Sequence, residues 1–246
     1  YRTKEAIEGV EVFIADKDVF YYWTVKAPLF DEDGNVSGLI GMSTDITEQK
    51  KLEQQLENSN ALLKSKIDEI TLLQSTLWEQ ATQDPLTQLF NRRYFNEIAN
   101  KEIIKTARNK KPMALLLLDA DYFKKINDNF GHAMGDKVLV KFAQIMMDEC
   151  RRTDIVCRYG GEEFVILMPE ASQDIAVGRA EEIRENYQKE ITKILNNIST
   201  VSIGIAMWNN NLVDLEGLTK AADQAMYQAK NNGRNQVVVY SEESNN

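Results

Sequence analysis

The segment Met113–Leu118 reads "MALLLL" and runs directly into "DADYF". Six apolar residues without a polar interruption leave no solvated face, so the run predicts a central strand covered on both sides. Asp119 and Asp121 stand where that strand gives out. A carboxylate there is costly unless it is paired or binds a cation. A strand covered on both sides needs flanking helices, and the spacing of apolar residues predicts them over about 91–109, 135–150, 173–192 and 214–231. Pro112 stops the first and Gly233 the last. "DIVCRY" and "EFVILMP" form a hairpin about Gly160 and Gly161, "TVSIGIAMW" alternates like a strand, and "QVVVY" closes the sheet. The expected class is α/β (α+β), a central mixed sheet flanked by helices and including one hairpin.

Two other regions precede this one. Residues 1–46 read as strands and turns: "GVEVFIA", "VFYYWTV" and "VSGLIGMSTDI", with a turn at "DEDGN". Three such strands bury little alone, so they read as part of a domain, with Tyr21, Tyr22 and Trp23 in its sheet core. From about Thr47 the pattern becomes a long helix. Leu56, Leu63, Ile70 and Leu77 fall seven apart, with Leu52 and Leu73 on the second seam, the signature of a parallel coiled coil. Ser59 and Lys66 interrupt that seam, and Ile67 offers a competing register. The expected boundaries are 1–46, 47–80 and 81–246.

A formal charge of −9 argues against a nucleic-acid or membrane surface. It leaves room for an anionic ligand held with a metal ion in a locally basic pocket. Cys150 and Cys157 are seven apart, a spacing that suits two free core thiols in a reducing, cytoplasmic compartment. No apolar run approaches the roughly 20 residues that span a bilayer. The chain starts at Tyr1, as a fragment would, and an upstream anchor would lie outside it. His132, the single histidine, sits between Gly131 and Gly135 as a structural loop residue, so histidine-based acid–base chemistry is not expected.

The acidic residues carry the chemistry. Glu162 and Glu163 follow the hairpin glycines and point to opposite sides of their strand, so one of them shares a face with Asp119. One strand-end Asp with one hairpin Glu is an oxygen set that Mg²⁺ accepts while keeping positions for water and phosphates. Alone, Gly-Gly-Glu-Glu reads as a solvated turn, and its neighbourhood changes that reading. "YFKKINDNFGHAMGD" is rich in turn formers before a helix, where free N–H groups and Lys124 would cradle phosphates. Asn127 and Asp136 suit the edge of a purine. Lys230 and Arg234 stand four apart about a helix end as a second phosphate clamp.

Together, "DPLTQLFNRR" at 84–93, "DADYFKKINDNFGHAMGD" at 119–136, "RYGGEEF" at 158–164 and "YQAKNNGRN" at 227–235 resemble the GGDEF family of diguanylate cyclases. Gln88 departs from the family, which usually has glycine there. The resemblance implies a palm-like nucleotide-cyclase fold that condenses two GTP into cyclic di-GMP with release of two pyrophosphates. It further implies that Asp119, Glu162 and the Ala120 carbonyl bind Mg²⁺ or Mn²⁺, with Glu163 assisting. Asn127 and Asp136 would read guanine, and Lys124, Lys230, Arg234 and amides near Phe123 would hold the triphosphate. Each domain of the family binds one GTP, so the enzyme is expected to act as a homodimer through the coiled coil. Asp84 and Arg158 are expected to form a salt bridge tying the coil's end to the hairpin.

Arg151-x-x-Asp154 precedes the double glycine by the family's spacing for an inhibitory product site, with Arg179 or Arg184 as a second arginine. The N-terminal fragment resembles the last strands of a PAS domain, in which "DIT" joins sheet to signalling helix. An alternative is a catalytically silent module that binds GTP or cyclic di-GMP. A nucleic-acid polymerase shares the palm logic, but the acidic balance disfavours it.

Overall fold

A computed structural model describes residues 5–209, 211–212 and 214–241. It divides into two compact units, Tyr1–Ser75 and Thr76–Asn246. In the first, β1 (Ile7–Ala15), β2 (Asp18–Phe30) and β3 (Val36–Asp45) form an antiparallel sheet. Val10 stands opposite Trp23, and Trp23 opposite Thr44, so Val12, Tyr21, Val25 and Met42 share one apolar face. The other face carries Glu11, Thr24 and Ser43, joined by hydrogen bonds through Thr24. Tyr21 and Tyr22 are only half-buried and Trp23 is 37% exposed, against the core placement expected from sequence. Three strands provide no second layer to cover them.

The third strand passes directly into a helix. Asp45 Oδ1 accepts from Thr47 N at 2.8 Å, and Thr47 Oγ1 accepts from Tyr21 N at 2.9 Å. These bonds fix the start of α1 (Thr47–Thr82), a 36-residue helix about 54 Å long at the standard rise. Its seam residues Leu56, Leu63, Ile70 and Leu77 are all more than half exposed. Among the described residues nothing covers that stripe.

The second unit is built on six strands in the order β4-β6-β7-β5-β8-β9. They are β4 (Phe90–Asn91), β5 (Met113–Ala120), β6 (Ile155–Gly160), β7 (Glu163–Pro169), β8 (Val201–Met207) and β9 (Val237–Val239). Every residue of β5 is buried, and β5 pairs antiparallel with both β7 and β8. The edge pairs β4–β6 and β8–β9 are parallel, so the sheet is mixed as expected. Helices α2 (Arg92–Asn109) and α6 (Leu215–Asn231) cover the face bearing Leu115, Leu117 and Val165. Helices α3 (Phe123–Phe130), α4 (His132–Glu149) and α5 (Gln173–Leu195) cover the face bearing Leu116, Leu118 and Phe164.

Local chemistry sets the ends of these helices. Asn91 caps α2 by accepting from Tyr94 N, and Asp214 caps α6 by accepting from Gly217 N. Gly204 matters for the site, because a Cβ there would overlap the α6 backbone at Ala222 and Met226. The close seat of α6 on β8 brings Lys230 to the end of β5. Two sequence expectations change. The turn-rich segment 122–131 forms α3, with Phe123 and Ile126 buried, and α4 starts at His132 rather than near 135. The glycine at 131, with φ of 81°, separates the two helices.

Candidate active site

Strand register decides which acids meet. Asp119 pairs directly with Glu163 across β5 and β7, so their side chains share the α2/α6 face. The family resemblance puts Glu162 with Asp119 at the metal, whereas the unbroken β5–β7 register puts Glu163 directly opposite Asp119. Glu162 lies in the turn, where its carbonyl accepts from Ala120 N at 3.5 Å. Burial raises the Asp119 carboxyl, and the charges of Glu162 and Asp121 push the same way against the pull of Lys230. Glu163 is likewise raised, by burial first and then by Asp119. Lys230 Nζ stands 2.9 Å from Asp119 Oδ2 and is the cation paired with this cluster.

That arrangement fits a divalent cation. Burial, and then the neighbouring acids, raise the two facing carboxyls, a cost that a bound cation would relieve. Among the described residues no three His, Cys, Asp or Glu side chains form a ready-made cage. A bound ion would complete its shell with the Ala120 carbonyl, water and phosphate oxygens, as Mg²⁺ does. From Glu163 a cleft of about 750 Å³ extends between α2 and α6, lined also by Arg92, Asn96, Tyr159 and Lys220.

The residues expected to meet the nucleotide lie on neighbouring elements. Asn127 on α3 lies against Gly135 on α4, where an added Cβ would overlap Asn127 Oδ1. The Asn127 side chain is thereby seated on the first turn of α4, against the residue that precedes Asp136. Asp136 and Lys124 are exposed, and Phe123 is buried beneath α3. Arg234 lies in the loop after α6, where Gly233, Arg234 and Asn235 all have positive φ. Asp121 holds that loop. It accepts from Thr200 Oγ1 at 2.7 Å, Ser202 Oγ at 2.8 Å and Asn235 N at 3.2 Å, with Arg234 Nε 3.9 Å away. Sequence reasoning leaves Asp121 without a role beyond its place at the strand end, because its partners come from distant segments.

The expected Asp84–Arg158 pair is present. Arg158 Nη1 lies 3.1 and 3.2 Å from the two Asp84 oxygens, and Nε and Nη2 donate to the Gly161 carbonyl at 3.0 and 2.9 Å. Gln88 takes the left-handed conformation that a glycine would favour, with φ of 60°.

The candidate product-site residues form a second group. Arg151 N donates to Asp154 Oδ2 at 2.8 Å, and burial raises the Asp154 carboxyl against the pull of Arg151 and Arg179. Arg179 is itself paired with Glu149 and Glu182. Arg184 instead engages Glu181, Glu185 and Asn235. Both cysteines are free, and burial pushes each thiol up to about 12, so neither is a nucleophile. No helix among the described residues is long and apolar enough to cross a membrane.

Comparison with known proteins agrees with this geometry. Residues 81–236 match the family model "Diguanylate cyclase, GGDEF domain", and residues 1–51 match "PAS fold". The chain is 36% identical over 224 residues to "Diguanylate cyclase DosC" of Escherichia coli strain K12, covering 85% of this chain and 48% of that protein. It is 40% identical over 164 residues to "Response regulator PleD" of Caulobacter vibrioides strain NA1000 / CB15N, covering 65% of this chain and 36% of that protein. The chain thus spans about half, or less, of the curated relatives it matches. Among solved structures, the coiled coil and GGDEF domain of DgcB from Caulobacter crescentus, in complex with c-di-GMP, aligns with a TM-score of 0.67 at 26% identity. That alignment covers 76% of this chain and 98% of that one. The active GGEEF domain of a diguanylate cyclase from Vibrio cholerae aligns with a TM-score of 0.58 at 29% identity, over 62% of this chain and 97% of that one.

Proposed function

The chain belongs to the GGDEF family of diguanylate cyclases, and on that premise we propose that it condenses two GTP into cyclic di-GMP and two pyrophosphates. The observation that carries this reading is the Asp119–Glu163 ladder pair with Lys230 on Asp119. It sets carboxylates for a metal and a cation for phosphate at one strand end. Asp119, the Ala120 carbonyl, Glu162 and Glu163 would hold Mg²⁺ or Mn²⁺. When bound, the ion neutralises phosphate charge, polarises the α-phosphorus and lowers the pKa of the attacking hydroxyl.

The chain's own residues do the rest. Asn127 and Asp136 orient the guanine. Lys124, Lys230, Arg234 and amides near Phe123 hold the triphosphate, and Lys230 exchanges Asp119 for a phosphate oxygen. The 3′-hydroxyl of one GTP attacks the α-phosphorus of the other, the α–β bond breaks and pyrophosphate leaves. Glu163, whose carboxyl is raised by burial and by Asp119, is placed to accept the hydroxyl proton. Two such steps close the ring.

Each domain supplies one GTP, so two copies face each other, and the uncovered leucine stripe of α1 supports a coiled-coil homodimer. Residues 1–46 act as the end of a PAS-like sensor, 47–80 as the signalling helix and 81–246 as the cyclase, working in the cytoplasm. Arg151 and Asp154, with Arg179, form the product-inhibition site. Incubation with GTP and Mg²⁺, followed by chromatography for cyclic di-GMP and pyrophosphate, tests the reading. Asp119→Ala should abolish both products; equal turnover by that variant would remove the assignment.

A further inference from the structure

Tyr122 follows Asp121 and opens α3, yet it does neither of the things expected of a residue there. Its side chain makes no capping hydrogen bond to α3, and its ring is 54% exposed rather than packed in the core. Its backbone is nevertheless held in the left-handed region, with φ of 56°, which a residue with a Cβ disfavours. Asp121 N donates to Thr200 O on one side, and Tyr122 O accepts from Lys125 N on the other. The ring is therefore presented by fixed backbone. Arg234 Cζ lies 4.4 Å from its centroid, and Lys125 Nζ lies 4.4 Å from it as well. Among the described residues the Arg234 guanidinium makes no hydrogen bond, and its nearest carboxylate contact is 3.9 Å. Its donors are left for a ligand.

We propose that Tyr122 is a positioning residue of the triphosphate site, its ring holding Arg234 and Lys125 in place for a bound phosphate chain. The proposal rests on the reading of Arg234 as a phosphate ligand, and it adds Lys125 to that set. A ring face attracts both cations by its quadrupole. Two long side chains already held in place lose less freedom when phosphate binds. The hydroxyl takes no part, so phenylalanine should serve equally.

The test uses the full chain and a GTP analogue with a methylene α–β bridge, which binds without turnover. Its dissociation constant with Mg²⁺ is measured for wild type, Tyr122→Leu, Tyr122→Ala, Tyr122→Phe, Arg234→Ala and the Tyr122→Leu/Arg234→Ala double variant. Tyr122→Leu keeps apolar bulk without a π face, so it separates packing from cation holding if Tyr122→Ala folds poorly. The expected result is about a fivefold loss of affinity for Tyr122→Leu, wild-type affinity for Tyr122→Phe, and a smaller Tyr122 effect once Arg234 is gone. Wild-type affinity in Tyr122→Leu, with weakened binding in Arg234→Ala, overturns the positioning role and leaves the phosphate reading standing. Wild-type affinity in Arg234→Ala overturns both.

Discussion

Arg158 reaches a carboxylate 74 residues away in sequence and ties it to the turn beside itself. One edge of its guanidinium holds both oxygens of Asp84, two residues past the end of α1. The other edge holds the Gly161 carbonyl, in the turn that leads to the two glutamates. Side-chain exposures of 16% and 19% shelter the pair from solvent, so it is more than a surface contact. Through this one side chain, the segment that follows α1 is tied to the hairpin that carries Glu162 and Glu163.

Asp84→Ala should therefore loosen both ends. Loss of a partly buried, charge-assisted pair costs about 1–3 kcal/mol, read as a lower Tm of the cyclase unit, and turnover should fall with it. Burial alone would raise the Asp84 carboxyl, but bonds from Thr87 and Arg158 outweigh it and hold the carboxyl below the ordinary range. With a depressed folded pKa, this contribution is present above about pH 4 and is lost as pH falls through the folded value. The gap in stability between wild type and Asp84→Asn should close in acid. Unchanged turnover in Asp84→Ala would show that the link carries no signal.

Gln88 braces its own strained turn with a side-chain bond from Nε2 to Pro85 O at 2.9 Å, beside the backbone bond from its N to Asp84 O at 2.9 Å. A left-handed residue with a Cβ costs roughly 1–2 kcal/mol. Gln88→Gly should gain at most about 1 kcal/mol, because the lost bond and the added chain entropy offset most of that relief, a rise in Tm of no more than about 2–4 °C. Thermal unfolding followed by calorimetry checks it.

Gly135→Ala should displace the Asn127 side chain, because the new methyl occupies the place of Asn127 Oδ1. The expected outcome is about a tenfold rise in KM for GTP, with reduced preference for guanine over adenine, from loss of oriented hydrogen bonds. Asn127→Ala should reproduce both effects. Kinetics with GTP and ATP side by side distinguish this from a general loss of fold.

The acids at the strand end should show their strain without nucleotide. Asp119 and Glu163 have folded pKa values above their ordinary ones, chiefly through burial. Ionisation therefore destabilises the empty domain as pH rises through that window, and the deficit persists at neutral pH. In a chelator, Asp119→Asn should melt higher than wild type at pH 7 and lose that advantage below about pH 4, while making no product. Identical melting at pH 7 would contradict the strain.

The central strand, the hairpin and helices α2 and α6 were legible because each is announced by an unbroken apolar run, a double glycine or a clear stop. Helix α3 was not. Asn127, Asp128 and Asn129 look like turn formers, and only Phe123 and Ile126, three apart, face the core. The partner of Asp119 was narrowed to one of two glutamates, but choosing Glu163 required the register of β7 against β5, a long-range pairing that composition does not encode. Asp121 was hidden for a different reason. Its hydrogen-bond partners lie 79, 81 and 114 residues away, and no local pattern reports contacts at that range.

The central claim is that one active site is assembled from two copies of this chain. It is tested most directly by following cyclic di-GMP formation from GTP and Mg²⁺ across a range of protein concentrations, with the dimer fraction measured by sedimentation on the same samples and product removed enzymatically. The rate should rise in proportion to the dimer and vanish as it dissociates. Turnover that tracks monomer, or none from a product-free dimer, would contradict the account.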